Sequence, residues 1–125
     1  MLATRPRVLL ADDYPDMVKA VARLLAQDCD VVGSVADGGD LLEAAQRLQP
    51  DVIVLDLNLP NVDGLEACRQ ITRVYPEIRV ILFTAMSDKD VSQRLLGAGA
   101  SAFVSKLAPV DSLLSTIKRL CVDRS

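Results

Sequence analysis

The sequence predicts a doubly wound α/β domain on a five-stranded parallel sheet. Short apolar runs and amphipathic helical segments alternate five times along 125 residues, a length that suits one domain. The first, third and fourth runs are nearly unbroken Val, Ile and Leu, as strands buried on both faces read. Glycines and prolines fall between the units, where the chain must turn.

The first strand is expected at Arg7–Ala11. Met17, Val18, Val21, Leu24 and Leu25 then recur at helical spacing. The second strand is expected at Val31–Val35, followed by a helix carrying Leu41, Leu42, Ala45 and Leu48 and closed by Pro50. Asp51–Leu55 reads as the third strand, and Leu65, Cys68, Ile71 and Val74 mark the third helix, closed by Pro76. The fourth strand is expected at Arg79–Phe83. A fourth helix carries Val91, Leu95 and Leu96, with Gly97 and Gly99 at its end. The fifth strand is expected at Ala102–Ser105. The last helix holds Val110, Leu113, Leu114, Ile117, Leu120 and Cys121, with Pro109 at its start, a favoured proline position. Residues 1–121 thus form one domain, and 122–125 read as a tail or the start of a linker.

Strand–helix units of this size make a doubly wound sheet. The common five-strand order, also implied by the resemblance below, is 2-1-3-4-5, the flavodoxin-like arrangement. The order then reverses between strands one and three, and ligands bind beyond the carboxyl ends of the strands at that point. Asp12 and Asp13 follow the first strand and Asp56 follows the third, so their carboxylates are expected to converge there.

Composition narrows the function. Half the residues are apolar, enough for a proper core, yet no run approaches the roughly 20 apolar residues of a membrane span. The opening Met-Leu-Ala-Thr-Arg-Pro-Arg lacks the apolar core of a secretory signal, so a cytoplasmic location without membrane contact is expected. The net charge of −3 argues against nucleic-acid binding by this segment. Cys29, Cys68 and Cys121 stand alone and read as small buried hydrophobes of a reducing compartment. There is no His, which removes the usual zinc ligand and the usual general base.

Three carboxylates in one pocket repel unless a cation holds them, and hard oxygen donors point to magnesium. Asp13 and Asp56 are expected as direct ligands and Asp12 as a ligand through water. Asp12 and Asp13 could instead serve only as helix caps, but Asp56 at the neighbouring strand end weighs against that. Asp56 is the expected nucleophile toward a phosphoryl group, forming an acyl phosphate. Thr84, followed by the small Ala85, could donate a hydroxyl to a phosphoryl oxygen. Lys106 ends the fifth strand. One magnesium and Lys106 together would balance the charge of the three carboxylates. An acyl phosphate then takes the Asp56 position from about −1 to about −2, a change that Thr84 and Lys106 could sense.

Leu10-Ala11-Asp12-Asp13, Val54-Leu55-Asp56-Leu57-Asn58-Leu59-Pro60 with Asp63-Gly64, Leu82-Phe83-Thr84-Ala85 and Gly97-Ala98-Gly99-Ala100 leading to Phe103 and Lys106 are similar, in order and spacing, to the receiver domains of two-component response regulators. The resemblance implies that Asp56 accepts phosphate from a phosphohistidine on a partner sensor histidine kinase. It implies that Asp12, Asp13, Asp56 and the backbone carbonyl of Asn58 hold magnesium, and that Lys106 and Ala85 meet the phosphoryl group. Thr84 and Phe103 would form the switch, remodelling the face of the fourth helix, fifth strand and fifth helix. The run Tyr75–Ile81, the stretch Gly99–Lys106 and the last helix resemble the LuxR/NarL-type transcriptional regulators. That implies a C-terminal helix-turn-helix domain outside this chain, DNA contact only through it, and a homodimer on phosphorylation. A stand-alone receiver acting by protein contact is the alternative.

The chain departs from the family at two places. Leu107 follows Lys106 where many relatives have Pro, and the family often has a cis bond there, so a cis Lys106–Leu107 is expected despite its cost of roughly 2.5–4 kcal/mol. Met86, with Asn58, would lie near the path of an attacking water and tune the rate of phosphate loss. Three other readings fit less well. A phosphatase of the Asp-x-Asp kind would need an acid where Asn58 stands. A flavin protein would need a hydroxyl- or glycine-rich loop where Asp12-Asp13-Tyr14-Pro15-Asp16 stands. A phosphorylation-independent dimerisation module would not require the full set Asp12, Asp13, Asp56, Thr84 and Lys106.

Overall fold

The computed structural model describes residues 5–57, 59, 64–85, 97–109 and 111–122. Five strands alternate with helices: β1 (Arg7–Ala11), α1 (Pro15–Leu25), β2 (Asp30–Val35), a 3₁₀ turn (Gly38–Asp40), α2 (Leu41–Leu48), β3 (Val52–Leu55), α3 (Gly64–Val74), β4 (Arg79–Thr84), β5 (Ala102–Ser105) and α4 (Asp111–Val122). All strand pairs are parallel and the order is β2-β1-β3-β4-β5, as the sequence predicts. Four helices of the expected five fall within the described residues. The segment carrying Val91, Leu95 and Leu96 lies outside them, as do Asn58, Pro60, Asp63, Met86 and Val110.

Alternation along the strands divides the core into two layers, because successive side chains point to opposite faces. Leu9, Ala11, Ile53, Leu55, Val80 and Leu82 meet Leu41, Ala44 and Ala45 of α2 and Ala67, Cys68 and Ile71 of α3. Val8, Leu10, Val52, Val54, Ile81 and Val104 meet Val21 and Leu25 of α1 and Leu113 and Ile117 of α4. Both faces of β1, β3 and β4 are therefore covered, which explains their unbroken apolar runs. Among the described residues no helix is long and apolar enough to cross a membrane.

Local chemistry sets the boundaries. α1 opens on Pro15, whose missing N–H costs nothing in the first turn. α2 is closed by Gln49 rather than by Pro50: Gln49 takes a left-handed φ of 49° and its N–H donates to the Ala45 carbonyl. Pro109 stands two residues ahead of α4 instead of at its first position, and its carbonyl accepts the Ser112 N–H. Asp30 belongs to β2 and pairs with Arg7. Gly99 has φ of 102°, and an added Cβ would lie 2.6 Å from Thr72 Oγ1, so glycine is needed there twice over. Cys29 and Cys68 are buried.

Candidate functional site

The site is assembled where strands end side by side. β1 and β3 pair with Ala11 opposite Leu55, so the next residue of each, Asp12 and Asp56, leaves the sheet at one edge. The ladder continues one step into the site. Asp12 N–H donates to the Val35 carbonyl, Asp56 N–H to Ala11, and Lys106 N–H to Thr84. Three site residues are thereby placed by the sheet rather than by loops. Gly64 supports the loop after Asp56: a Cβ there would come 2.7 Å from Leu57 Cα, so the start of α3 packs directly on the backbone beside Asp56.

Asp12, Asp13 and Asp56 come together, with one carboxylate oxygen of each within 4.8 Å of the others. Asp12 and Asp56 are buried and Asp13 is exposed. Asp12 Oδ1 accepts the Tyr14 N–H at 3.0 Å, which fixes the rotation of the carboxylate. Lys106 reaches in from the end of β5, with Nζ 2.9 Å from Asp12 Oδ2 and 3.2 Å from Asp56 Oδ2. Burial pulls the lysine pKa down. The Asp12 hydrogen bond, the charges of Asp56 and Asp12, and the Asp56 hydrogen bond outweigh it, holding the ammonium above the usual lysine range. Lys106 cancels one of the three formal charges and leaves two.

That residual charge, and a donor set made only of oxygens, fit a magnesium ion.

Thr84 is fully buried at the end of β4, and Ala85 beside it is exposed. Phe103 is half-buried on β5 opposite Leu82 and packs against the layer under α2 and α3. The Lys106–Leu107 bond is not cis, since the described residues contain no cis peptide; the expected cis bond is thus corrected. Its energy cost explains the outcome, as Leu lacks the tertiary amide that makes cis accessible to proline. Leu107 is instead exposed, with its N–H on Ser105 Oγ. Sequence reasoning missed Phe83, whose ring centre lies 5.6 Å from Lys106 Nζ.

A family model for the response regulator receiver domain matches residues 8–118. The response regulator GacA of Pseudomonas aeruginosa is 33% identical over 116 residues, covering 91% of this chain and 54% of that protein. The transcriptional regulatory protein DegU of Brevibacillus brevis is 31% identical over 114 residues, covering 90% of this chain and 48% of that protein. A LuxR-family two-component response regulator from Aurantimonas sp. superposes with a TM-score of 0.91 at 29% identity, covering 96% of this chain and 87% of that one. The chain spans about half the length of the curated relatives it matches. Receiver domains are signalling domains rather than enzymes in the ordinary sense. With its fold, its acidic pocket and its matched length in agreement, this chain belongs to the response regulator receiver domain family of two-component systems.

Proposed function

We propose that the chain is a phosphorylation switch in which Asp56 takes a phosphoryl group from a phosphohistidine on a sensor histidine kinase. The observation that carries this reading is the convergence of Asp12, Asp13 and Asp56 with Lys106 on two of the three. An Asp56 oxygen attacks phosphorus, the P–N bond breaks, and its electron pair returns to the imidazole nitrogen. Magnesium held by Asp12, Asp13, Asp56 and the Asn58 carbonyl would supply charge compensation for the transferring group. Lys106 is already at hydrogen-bond distance from Asp56 and offers its N–H donors to the phosphoryl oxygens.

The readout follows from the added charge. Thr84, packed at the end of the strand beside Asp56, turns its hydroxyl toward the phosphoryl group, with the Ala85 N–H as a further donor. Phe103 moves inward into the vacated space. The two packings bias the face formed by the segment after Thr84, β5 and α4. Asn58 and Met86 set how fast water removes the phosphate.

The receiver runs to the end of α4 at Val122, one residue beyond the expected boundary, and the residues after it begin a linker to a C-terminal helix-turn-helix domain. Full-length relatives about twice as long, among them a transcriptional regulatory protein, support this. Phosphorylation would then favour a homodimer in the cytoplasm and control DNA binding through that domain.

The test is intact mass after incubation with magnesium and a small acyl phosphate. A gain of about 80 Da, one phosphoryl group, that requires magnesium and disappears in Asp56→Ala supports the reading. An unchanged wild-type mass overturns it.

A further inference from the structure

We propose that Phe83 is a positioning residue for Lys106, its ring face holding the ammonium where a phosphoryl group on Asp56 would meet it. The proposal rests on the reading of Asp56 as phosphoacceptor and adds a residue to that site.

Phe83 is the penultimate residue of β4 and pairs with Val104. Thr84 is buried beside it, whereas Phe83 is half-buried on the α1 and α4 side of the sheet. Its ring centre lies 5.6 Å from Lys106 Nζ, within the range of about 6 Å over which an aromatic face attracts a cation. The ring also lines two cavities. One is a narrow crevice of about 10 Å³ reaching Asp12 and Asp56, with Met17 in its wall. The other is a groove of about 200 Å³ lined by Met17, Leu24, Pro109, Leu113 and Lys106. Phe83 lines both, and Lys106 lines the groove as well, so the ring flanks the lysine stem on its way from the groove wall to the carboxylates.

An aromatic face suits this task better than a polar group. It attracts the ammonium without accepting an N–H, so all three donors remain available for oxygen. A third acidic partner would take one donor and add charge to a pocket already rich in it. Asp12 and Asp56 alone tie Lys106 to the unphosphorylated arrangement. The ring holds it independently of the charge state of Asp56, so the ammonium stays in place while the Asp56 oxygen is converted.

The experiment compares wild type, Phe83→Leu and Phe83→Tyr, each checked for cooperative thermal unfolding. The rate of phosphoryl uptake from a small acyl phosphate with magnesium is followed by intact mass. The ¹³Cε–¹Hε signal of Lys106, assigned by Lys106→Arg, is recorded by NMR without the donor. Leucine keeps apolar bulk but loses the ring face. The expected result is an upfield Lys106 signal in wild type that moves downfield in Phe83→Leu and returns in Phe83→Tyr. Uptake should be about threefold to tenfold slower in Phe83→Leu and restored in Phe83→Tyr. An unmoved Lys106 signal in Phe83→Leu, or a Tyr variant as slow as the Leu variant, overturns the proposal. If wild type takes no phosphoryl group, the Asp56 reading fails and the proposal falls with it. Failure of Phe83 alone instead leaves wild type and Phe83→Leu phosphorylated at equal rates.

Discussion

Lys106 Nζ lies 3.2 Å from Asp56 Oδ2, across 50 residues of sequence and a cluster of three carboxylates. Its ammonium offsets part of the repulsion among the three carboxylates. Lys106→Met should lower stability at neutral pH by about 1–3 kcal/mol, less than for a fully buried pair because the pocket is open to water. Magnesium should recover more stability in the variant than in wild type, because Lys106 no longer competes for the carboxylates. Urea unfolding with and without magnesium checks both statements.

Metal binding to the folded state alone should raise stability by mass action, about 2.7 kcal/mol at one hundred times the dissociation constant. Asp13→Ala should abolish most of that gain. Because Asp13 is exposed, the variant's stability without magnesium should equal or exceed that of wild type, as one repelling charge is gone. Thermal unfolding across a magnesium titration measures this. A full magnesium response in Asp13→Ala would contradict the assignment of Asp13 as a ligand.

Gly99→Ala should cost about 1–3 kcal/mol, combining a left-handed backbone with a Cβ against Thr72. Adding Thr72→Ala removes the Oγ1 and Cγ2 atoms but keeps Cβ at 2.9 Å, and should recover the steric cost of those two atoms while leaving the backbone part. Chemical denaturation of the single and double variants separates the two contributions.

Burial pushes the thiols of Cys29 and Cys68 up to about 11 from an ordinary value of 9.0. The unfolded chain therefore releases those protons first as pH rises. Stability is fully present below pH 9 and is lost between about 9 and 11, and the raised Lys106 works in the same direction. Denaturant midpoints from pH 7 to 11 should fall along that window. Cys29→Ala/Cys68→Ala should flatten the fall. Alkylation of native protein at pH 8 should strike the half-buried Cys121 first.

The strands buried on both faces were legible because their apolar runs have no other reading at that length. Asp12, Asp56 and Lys106 were legible because strand order alone puts their positions on one edge. What escaped depends on geometry that periodicity does not carry. Asp30 is polar and stands outside the apolar run that marks β2 in the sequence, yet an edge strand needs no apolar residue to pair with Arg7. Gln49 closes α2 by accepting a left-handed φ, which nothing in its side chain announces. The cis expectation at Lys106–Leu107 was carried over from relatives with proline, and leucine removes its energetic basis. Phe83 looked like one more strand residue, because its partner is an ammonium 23 positions later that reaches it only once β5 is laid beside β4.

The amides of Asp12, Asp56 and Lys106 each complete one more rung of the sheet beyond the last paired residue. The separation of these three backbone positions is therefore quantised by the spacing of parallel strands, about 4.8 Å per step. Connections on the far side of each residue can lengthen, shorten or change composition without altering that spacing. A site built this way is portable. The connecting segments can vary around it while Asp12, Asp56 and Lys106 stay in register.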